Sequence, residues 1–270
     1  PRDALPKVVD SSGVVGMCSE TILGRKIPIA GIAGDQHAAL FGQCCFDKGM
    51  AKNTYGTGCF VLMNTGDKPV FSDRGLITTI GWCVNGETTY ALEGSAFNAG
   101  SAIKWLRDEL KLIANPQEAD LLAETVEDAG GAVFVPAFTG LGAPYWDMYA
   151  RGALLGVTRG TSKAHICRAV LESIAYESYD LVKAMEAGSG TEISELRVDG
   201  GASRSRFLML GSAMLAGLAV GVWESLDELR TVWKLKNAYD PQTTAGSEAK
   251  ALKRWHKAVE RSMGWADGLD

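Results

Sequence analysis

An apolar segment that ends at a single carboxylate constrains the fold more than any other feature. Residues 27 to 34 are apolar or small and include β-branched side chains, which is typical of a buried strand. Asp35 follows at the carboxyl end of that strand, where open α/β sheets place their ligands. Residues 36 to 43 have helical character. Two roles for Asp35 therefore stay open, acceptor of a hydroxyl proton or cap of the helix, and one residue can serve both.

A glycine-rich turn follows a short way along the chain. Gly56, Thr57 and Gly58 lie between two strand-like runs at residues 51 to 55 and 59 to 64. Because glycine has no Cβ, successive backbone N–H groups in such a turn can converge on a phosphate. The alternative is an ordinary hairpin turn, since short glycine motifs often match by chance. A carboxylate together with a phosphate-binding turn predicts phosphoryl transfer.

The middle of the chain continues the strand pattern and then changes to helices. Strands are predicted at residues 76 to 84 and 88 to 93, joined by Asn-Gly, which suits a type I′ hairpin turn. With the two strands before them, they form a predicted meander. Apolar spacing then predicts helices at residues 97 to 113, 115 to 128, 163 to about 187 with Ser162 as its cap, 211 to 223 and 247 to 263.

An irregular loop carries a pair of aromatic residues. Residues 131 to 138 predict an apolar strand, whereas residues 139 to 147 contain too much glycine and proline for a regular element. Tyr145 and Trp146 in this loop either stack on a ligand or pack the loop against the body of the protein. Packing is the commoner outcome for a single aromatic pair and is the favoured interpretation.

A second strand, glycine pair and helix occur late in the chain. A strand at residues 196 to 198 leads into Asp199, Gly200 and Gly201, and a helix begins near Ser203. The glycines let a purine or ribose approach the backbone, and the amino end of the helix offers unpaired N–H groups. A tight strand-to-helix turn without a ligand is an equally good interpretation.

Composition narrows the classes of partner. The 270 residues are 46% hydrophobic and 22% charged, which is ordinary for a globular protein. The formal net charge is -5, and no run of Lys or Arg is interleaved with aromatic residues. Neither nucleic acid nor a membrane is therefore an expected partner, and a small molecule is.

The six cysteines and three histidines show no spacing typical of a metal site. No C-x-x-C pair occurs, so reduced thiols are expected. His37 is an alternative base, but its place on the first turn after Asp35 favours a solvated or capping role, and His165 and His256 are interpreted as structural. The sequence has no signal peptide and no apolar run of ~18 residues, which predicts a cytoplasmic protein.

Several separate motifs occur in one order along the chain. They are Gly-Ile-Ala-Gly-Asp-Gln at residues 31 to 36, Asn-Thr-Tyr-Gly-Thr-Gly-Cys-Phe at 53 to 60, Thr-Gly-Leu-Gly-Ala-Pro-Tyr-Trp-Asp at 139 to 147, Gly-Ala-Leu-Leu-Gly-Val at 152 to 157, His-Ile-Cys-Arg-Ala-Val-Leu-Glu at 165 to 172, and Val-Asp-Gly-Gly-Ala at 198 to 202. In order and spacing they are similar to those of the FGGY carbohydrate kinase family. The chain resembles the carboxyl-terminal half of the glycerol kinases in that family.

The resemblance implies a fold and a domain organisation. FGGY kinases have two actin-like, ribonuclease H-type domains that close over a cleft, so an α/β fold with a mixed sheet and flanking helices is expected. Residues 1 to 44 would end the amino-terminal domain and carry the catalytic aspartate. Residues 45 to 270 would form the nucleotide-binding carboxyl-terminal domain. The chain runs directly from Met209 to Leu210 where the family has further residues, which predicts a deletion or a gap.

The resemblance also implies roles for individual residues. Asp35 is expected to be the general base for the substrate hydroxyl, Gln36 to hold the polyol and Phe60 to pack against its carbon chain. Thr57 is expected to contact the phosphates of ATP. The expected lining of the nucleotide pocket is Gly100, Ile103, Lys104, Gly201 and Ser205. The lysine and the serine in that set replace a glutamine and an asparagine that are commoner in the family.

The reaction implied is ATP-dependent phosphorylation of glycerol to glycerol 3-phosphate. An aspartate suits it because the transition state is loose, so orienting the hydroxyl and accepting its late proton matter more than strong basicity. Mg²⁺ is the expected metal cofactor, and it would screen the charge of the phosphate oxygens.

Two alternatives to a glycerol kinase remain at this stage. One is a kinase for another polyol or a pentulose, and the other is a non-catalytic lobe that binds a nucleotide or a partner. The 270 residues alone are expected to be inactive, because catalysis by positioning fails when half of the positioning groups are missing. The family further implies a homodimer or homotetramer. Residues 23 to 26 differ from the loop that binds fructose 1,6-bisphosphate in some members, so that regulation is not expected.

Overall fold

The computed structural model describes residues 2 to 200, 206 to 235, 238 and 245 to 268. A short 3-10 helix (Arg2–Ala4) comes first. The described strands are β1 (Ser12–Met17), β2 (Pro28–Gly31), β3 (Met50–Tyr55), β4 (Cys59–Gly66), β5 (Ile77–Val84), β6 (Glu87–Ala96), β7 (Val133–Val135), β8 (Ala153–Leu155) and β9 (Glu195–Gly200). The described helices are α1 (Glu20–Leu23), α2 (Asp35–Gly42), α3 (Gly100–Asp108), α4 (Pro116–Glu124), α5 (Lys163–Ser189), α6 (Arg206–Ala219), α7 (Leu226–Val232) and α8 (Ala245–Ser262).

Seven strands form one mixed sheet in the order β2-β1-β5-β6-β4-β3-β9. Strands β3, β4, β6 and β5 pair antiparallel, whereas β9 is parallel to β3. The predicted meander is wrong, because β6 lies between β4 and β5. Residues 67 to 76, between β4 and β5, are long enough for the chain to leave the position next to β4 empty. The chain then turns back after β5, and β6 fills that position. In the turn between β5 and β6, Asn85 and Gly86 have φ values of 54° and 77°, and such positive values are what the predicted type I′ turn requires.

Helices cover both faces of this sheet. One buried cluster packs against α2 and α6 and includes Leu40, Phe41, Met50, Leu62 and Met214. The cluster on the opposite face packs against α5 and includes Ala51, Val61, Met63, Leu181 and Met185. Because side chains alternate along a strand, neighbouring residues of β3 and β4 enter different layers. The predicted α/β class with a mixed sheet and flanking helices is confirmed.

Several predicted boundaries differ from the structure. Helix α3 begins only at Gly100, because the residues before it bond to the turn between β3 and β4, and Lys111 has a positive φ of 53°, which does not continue a helix. The predicted strand at residues 131 to 138 is shortened to β7 by Pro136, which cannot donate in a ladder. Strands β1 and β8 and helices α1 and α7 were not predicted.

The long helix α5 is capped as its sequence indicates. The backbone N–H of Ser162 donates to Nδ1 of His165 at 3.1 Å, and Gly190 ends the helix with a φ of 64°. His165 therefore has the structural role expected of it. The ring of Trp105 stacks on that of Phe134 at 5.4 Å between centroids, in the same buried cluster as Cys167 near the amino end of α5.

The aromatic loop packs against the body of the protein. The hydroxyl of Tyr145 donates to Oδ2 of Asp180 at 2.6 Å, and Nε1 of Trp146 donates to the carbonyl of Gly75 at 2.5 Å. The packing interpretation is therefore confirmed. Asp180 on α5 also accepts from Nε1 of Trp255 at 2.6 Å and lies 2.8 Å from Nε2 of His256, both on α8. One buried carboxylate thus joins the loop, α5 and α8.

The cysteines are all free thiols, as expected. Within the described residues, no group of three or more His, Cys, Asp or Glu side chains converges in a way that suits a metal ion. No helix in the same part of the chain combines the length and the apolar character needed to span a bilayer.

Replacing Asp180 with alanine is expected to lower the free energy of unfolding by about 3 kcal/mol, because the buried Trp255, the half-buried Tyr145 and the exposed His256 all lose their acceptor. Chemical denaturation measures this value. Asp73→Ala is the control: its side chain is 89% exposed and pairs with Arg74 at the surface, so a loss below about 0.5 kcal/mol is expected. Equal losses in the two variants would contradict this view of the junction.

Glu177 gives a prediction about pH. Burial, and secondarily the nearby Asp180, raise the pKa of Glu177 well above its ordinary value. A carboxyl whose pKa is raised by folding contributes most stability below its unfolded pKa, and that contribution falls as pH rises toward the folded pKa. Glu177→Gln keeps the neutral form at every pH. The variant is therefore expected to gain stability relative to the wild type between pH 5 and 8, by up to about 1.4 kcal/mol per pH unit; a gain that shrinks with pH would contradict the assignment.

Candidate active site

Asp35 and Gln36 form the first turn of α2, directly after β2 and a short connection. Gly34 occupies the N-cap position, with φ -62° and ψ 154°. The capping interpretation of Asp35 is therefore wrong, since Asp35 is the first helical residue. Its Oδ1 accepts a hydrogen bond of 2.8 Å from the backbone N–H of Gln36, and its side chain is exposed. A carboxylate in this position is open to a ligand, whereas residues 38 to 42 of α2 are buried in the core.

Lys52 lies fully buried in β3, behind this first turn. Its Nζ donates to Oε1 of Gln36, to Oγ1 of Thr54 at 3.0 Å and to the carbonyl of Phe60 at 3.1 Å. All three ammonium hydrogens therefore have an acceptor. The bond to Gln36 connects α2 to the sheet, and the bond to Phe60 connects β3 to β4.

Strand register places a set of polar residues on the face that α2 covers. Lys52 pairs with Leu62, and Leu62 pairs in turn with Glu93. In the next row, Thr54 pairs with Phe60 on one side and with Asp199 on the other. Directly paired residues point to the same face of a sheet. The face under α2 therefore combines a lysine with two carboxylates, Glu93 and Asp199, in two neighbouring rows.

Burial and the nearby carboxylates act in opposite directions on the pKa of Lys52. Burial lowers the pKa of Lys52 to about 8, while the carboxylates of Asp199, Glu93 and Asp35 counteract part of that lowering. Burial also lowers the pKa of His37, whose Nε2 lies 3.1 Å from Oγ1 of Thr79. His37 is thus on the first turn of α2, as predicted, but it contacts the sheet and neither caps the helix nor lies fully in solvent.

The glycine-rich turn connects β3 to β4 and packs on the start of α3. The carbonyl of Thr57 accepts from the N–H groups of Ala99 and Ser101 at 2.8 and 3.1 Å, and that of Gly56 accepts from Gly100 at 3.0 Å. A Cβ on Gly100 would lie 2.5 Å from the carbonyl oxygen of Gly56. The turn joins two antiparallel strands as a hairpin, which fits both interpretations of it, and glycine is required at position 100 for close backbone packing. Contact with phosphate remains a prediction.

The remaining residues of the predicted nucleotide pocket are only partly described. Ile103 is half-buried and Lys104 is exposed, one turn into α3. Gly200 ends β9 beside Tyr55, the last residue of β3. Gly201 and Ser205, and the predicted start of a helix near residue 203, lie outside the described residues.

Sequence reasoning missed Lys52. The strand at residues 51 to 55 was predicted, and alternation along it would have placed residues 50, 52 and 54 on one face. A lysine between two residues of a buried strand was therefore a signal that one charge needed a partner inside the protein. The partners themselves come from α2 and β4, and only the fold identifies them.

The profile of the C-terminal domain of the FGGY family of carbohydrate kinases matches residues 51 to 230. This match covers more than half of the chain. The chain belongs to the FGGY family of carbohydrate kinases.

The similar proteins include several named as glycerol kinases. The chain is 52% identical to "Glycerol kinase 2" of Thermotoga maritima over 286 residues and 50% identical to the glycerol kinase of Francisella tularensis subsp. novicida over 289 residues. These matches cover 98% and 99% of the chain but 58% of each relative, so the chain spans little more than half of their length.

A solved structure supports the fold. The crystal structure of Plasmodium falciparum glycerol kinase with ADP matches with a TM-score of 0.87 and 39% identity, over 97% of the chain and 57% of that protein. The predicted actin-like ATPase fold of the family is thereby confirmed.

Gly100→Ala is expected to destabilise the protein by about 1–3 kcal/mol, because the new methyl group must push the turn away from α3. Thermal unfolding measures the loss. The control is Gly16→Ala in β1, where a Cβ would meet nothing within 4 Å. A Gly100→Ala variant as stable as the control would show that the turn does not pack on α3 as described.

Proposed function

We propose that the complete protein transfers the γ-phosphoryl group of MgATP to glycerol and forms glycerol 3-phosphate. The observation that carries this proposal is the junction of Asp35, Gln36 and Phe60, which the buried ammonium of Lys52 holds together. The named glycerol kinases among the relatives support glycerol as the acceptor. The alternatives, another polyol or a non-catalytic lobe, have no observation of their own in their favour.

Asp35 is the proposed general base. The hydroxyl oxygen of glycerol forms a bond to the γ-phosphorus while the bond from that phosphorus to the bridging oxygen breaks and ADP leaves. The hydroxyl proton passes to the carboxylate of Asp35. Since the carboxylate is exposed and fixed by the N–H of Gln36 at 2.8 Å, it can receive the substrate without a rearrangement of the helix.

The turn of Gly56, Thr57 and Gly58 is the proposed contact with the phosphates of ATP. Among the described residues, the N–H groups of Thr57 and Gly58 donate to no backbone carbonyl. Thr57 is exposed and Gly58 is buried, so the N–H of Thr57 is the one open to an anion. The side chain of Thr57 is exposed at the tip of this turn.

The proposed pocket for the rest of the nucleotide lies beside that turn. Gly100, Ile103 and Lys104 on α3 would line it, and Gly201 and Ser205 are further predicted members. The ADP named for the solved Plasmodium falciparum relative supports a nucleotide of this type. We propose that magnesium arrives with ATP and is held mainly by phosphate oxygens, as Mg²⁺ commonly is.

The chain supplies only part of the proposed kinase. We propose that residues 1 to 44 complete an amino-terminal domain, that residues 45 to 270 form the nucleotide-binding domain, and that the chain alone is inactive. The match of 286 residues to a chain of 270 supports additional residues in the relative, in keeping with a deletion near residues 209 and 210. A cytoplasmic location remains a prediction from the sequence, and a homodimer or homotetramer remains a prediction from the resemblance.

Asp35→Asn in the full-length gene product is expected to lower kcat with glycerol by about 10²–10⁴-fold, the usual contribution of a general base. Binding of glycerol changes less, because the amide keeps the size of the side chain. ADP formation measures kcat. Asp67→Asn, on the exposed loop after β4, is the control and is expected to keep the wild-type rate.

The same assay tests the acceptor. Turnover with glycerol that exceeds turnover with xylulose, ribulose and erythritol supports the proposal. A full-length protein that binds ATP but phosphorylates none of these compounds would overturn it.

A further inference from the structure

We propose that Lys52 is a positioning residue for the polyol site, whose buried ammonium fixes Gln36 and Phe60 so that Gln36 presents its amide N–H₂ group to the substrate. This inference rests on the proposed function, because it concerns the same site. Lys52 itself lies inside the sheet and acts through the two residues that it holds.

Lys52 connects two residues of the proposed polyol site through hydrogen bonds. The single Nζ atom of Lys52 bonds to the side chain of Gln36 and to the backbone of Phe60, the two residues proposed to contact the polyol. Those residues belong to α2 and β4, which are separated along the chain. Their relative position therefore depends on an atom that belongs to neither.

The bond to Lys52 determines which way the amide group of Gln36 points. An ammonium group only donates hydrogen bonds, so the atom of Gln36 that faces Lys52 has to be the oxygen, Oε1. The amide nitrogen then points the other way, where Nε2 lies 3.5 Å from Oδ2 of Asp35. Gln36 is thus oriented as a donor toward the place where a substrate hydroxyl would lie beside the general base. Without Lys52 the amide can rotate and present its oxygen.

The buried ammonium of Lys52 is not explained by a gain in stability. Burying an ammonium group is unfavourable, and an apolar residue of similar volume often gives a fold of equal or greater stability. The position opposite Lys52 on β4 is Leu62, which is itself fully buried in an apolar cluster. The face therefore accommodates apolar residues, and stability alone does not account for a lysine here.

The charged state of Lys52 matters because three acceptors need three N–H groups. Among the described residues, the titratable groups that interact with Nζ are Asp35 and His37 on α2, Glu93 on β6, Asp199 on β9 and Cys45 after α2. Burial outweighs the carboxylates, and the pKa of Lys52 is lowered to about 8. Above that pH a neutral amine has two N–H groups, and one of the three bonds is lost.

The test is a double-mutant cycle in the full-length gene product with Lys52→Met, Gln36→Met and the double variant. Lys52→Met is expected to lower kcat/KM for glycerol by roughly 10- to 100-fold, the effect of losing one charge-assisted hydrogen bond, with KM for ATP unchanged. If Lys52 acts through Gln36, the double variant is hardly worse than Gln36→Met. Losses that multiply independently would overturn the proposal.

The control variant is Asn53→Leu. Asn53 is the next residue of β3, is also fully buried, and points to the other face, where its Nδ2 donates to Oγ of Ser178 at 3.4 Å. It is expected to lower thermal stability but to leave KM for glycerol and the pH profile of kcat/KM as in the wild type. A rise in KM equal to that of Lys52→Met would show that any disturbance of β3 has this effect.

A titration of the wild-type full-length protein by NMR tests the proposal without turnover and without a variant that must fold. The Cε resonance of Lys52 and the side-chain amide resonances of Gln36 are expected to titrate together near pH 8. Titration of Lys52, at whatever pH it occurs, with no response at Gln36 would overturn the proposal. A coupled titration in a protein that phosphorylates no polyol would instead refute the proposed function and retain the contact.

Discussion

The buried ammonium of Lys52 is the interaction on which the arrangement of the site depends. A single charge inside the sheet holds the first turn of α2, the strand β3 and the first residues of β4 in fixed positions. Hydrogen bonds from a charged donor are stronger than neutral ones, and they are strongest where water is excluded. The exposed carboxylate of Asp35 therefore belongs to a helical turn that is held in a fixed position, which is what catalysis by positioning requires.

The other half of the site depends on close backbone packing. The carbonyl groups of the turn between β3 and β4 accept hydrogen bonds from the first N–H groups of α3, and glycine at position 100 makes the approach possible. The same strand, β3, carries Lys52 toward α2 and ends in this turn. Lys52 and the turn at residues 56 to 58 are thus six residues or fewer apart along the chain, and Lys52 connects this strand to the helix that carries the general base.

The sequence was most informative where local patterns coincide with the fold. The strand before Asp35, the type I′ turn at Asn85 and Gly86, and the long helix after Ser162 were all predicted, since short-range spacing and turn chemistry determine them. The order of the strands was not predicted. Whether β5 or β6 pairs with β4 depends on contacts between distant parts of the chain, which local patterns do not determine. The partners of Lys52 were missed for the same reason. Asp35, the turn at residues 56 to 58 and the glycine pair at 200 and 201 were identified from local patterns, whereas the roles of Gln36, Phe60, Gly100, Ile103, Lys104 and Ser205 came from the family resemblance.

The most direct test of the central claim is a crystal structure of the full-length gene product with glycerol and a non-hydrolysable ATP analogue. The account expects the reacting hydroxyl of glycerol within hydrogen-bond distance of the Asp35 carboxylate, with Nε2 of Gln36 donating to the polyol and Nζ of Lys52 on the opposite side of that amide. Glycerol bound away from Asp35, or a Gln36 amide that has turned from Lys52, would contradict it.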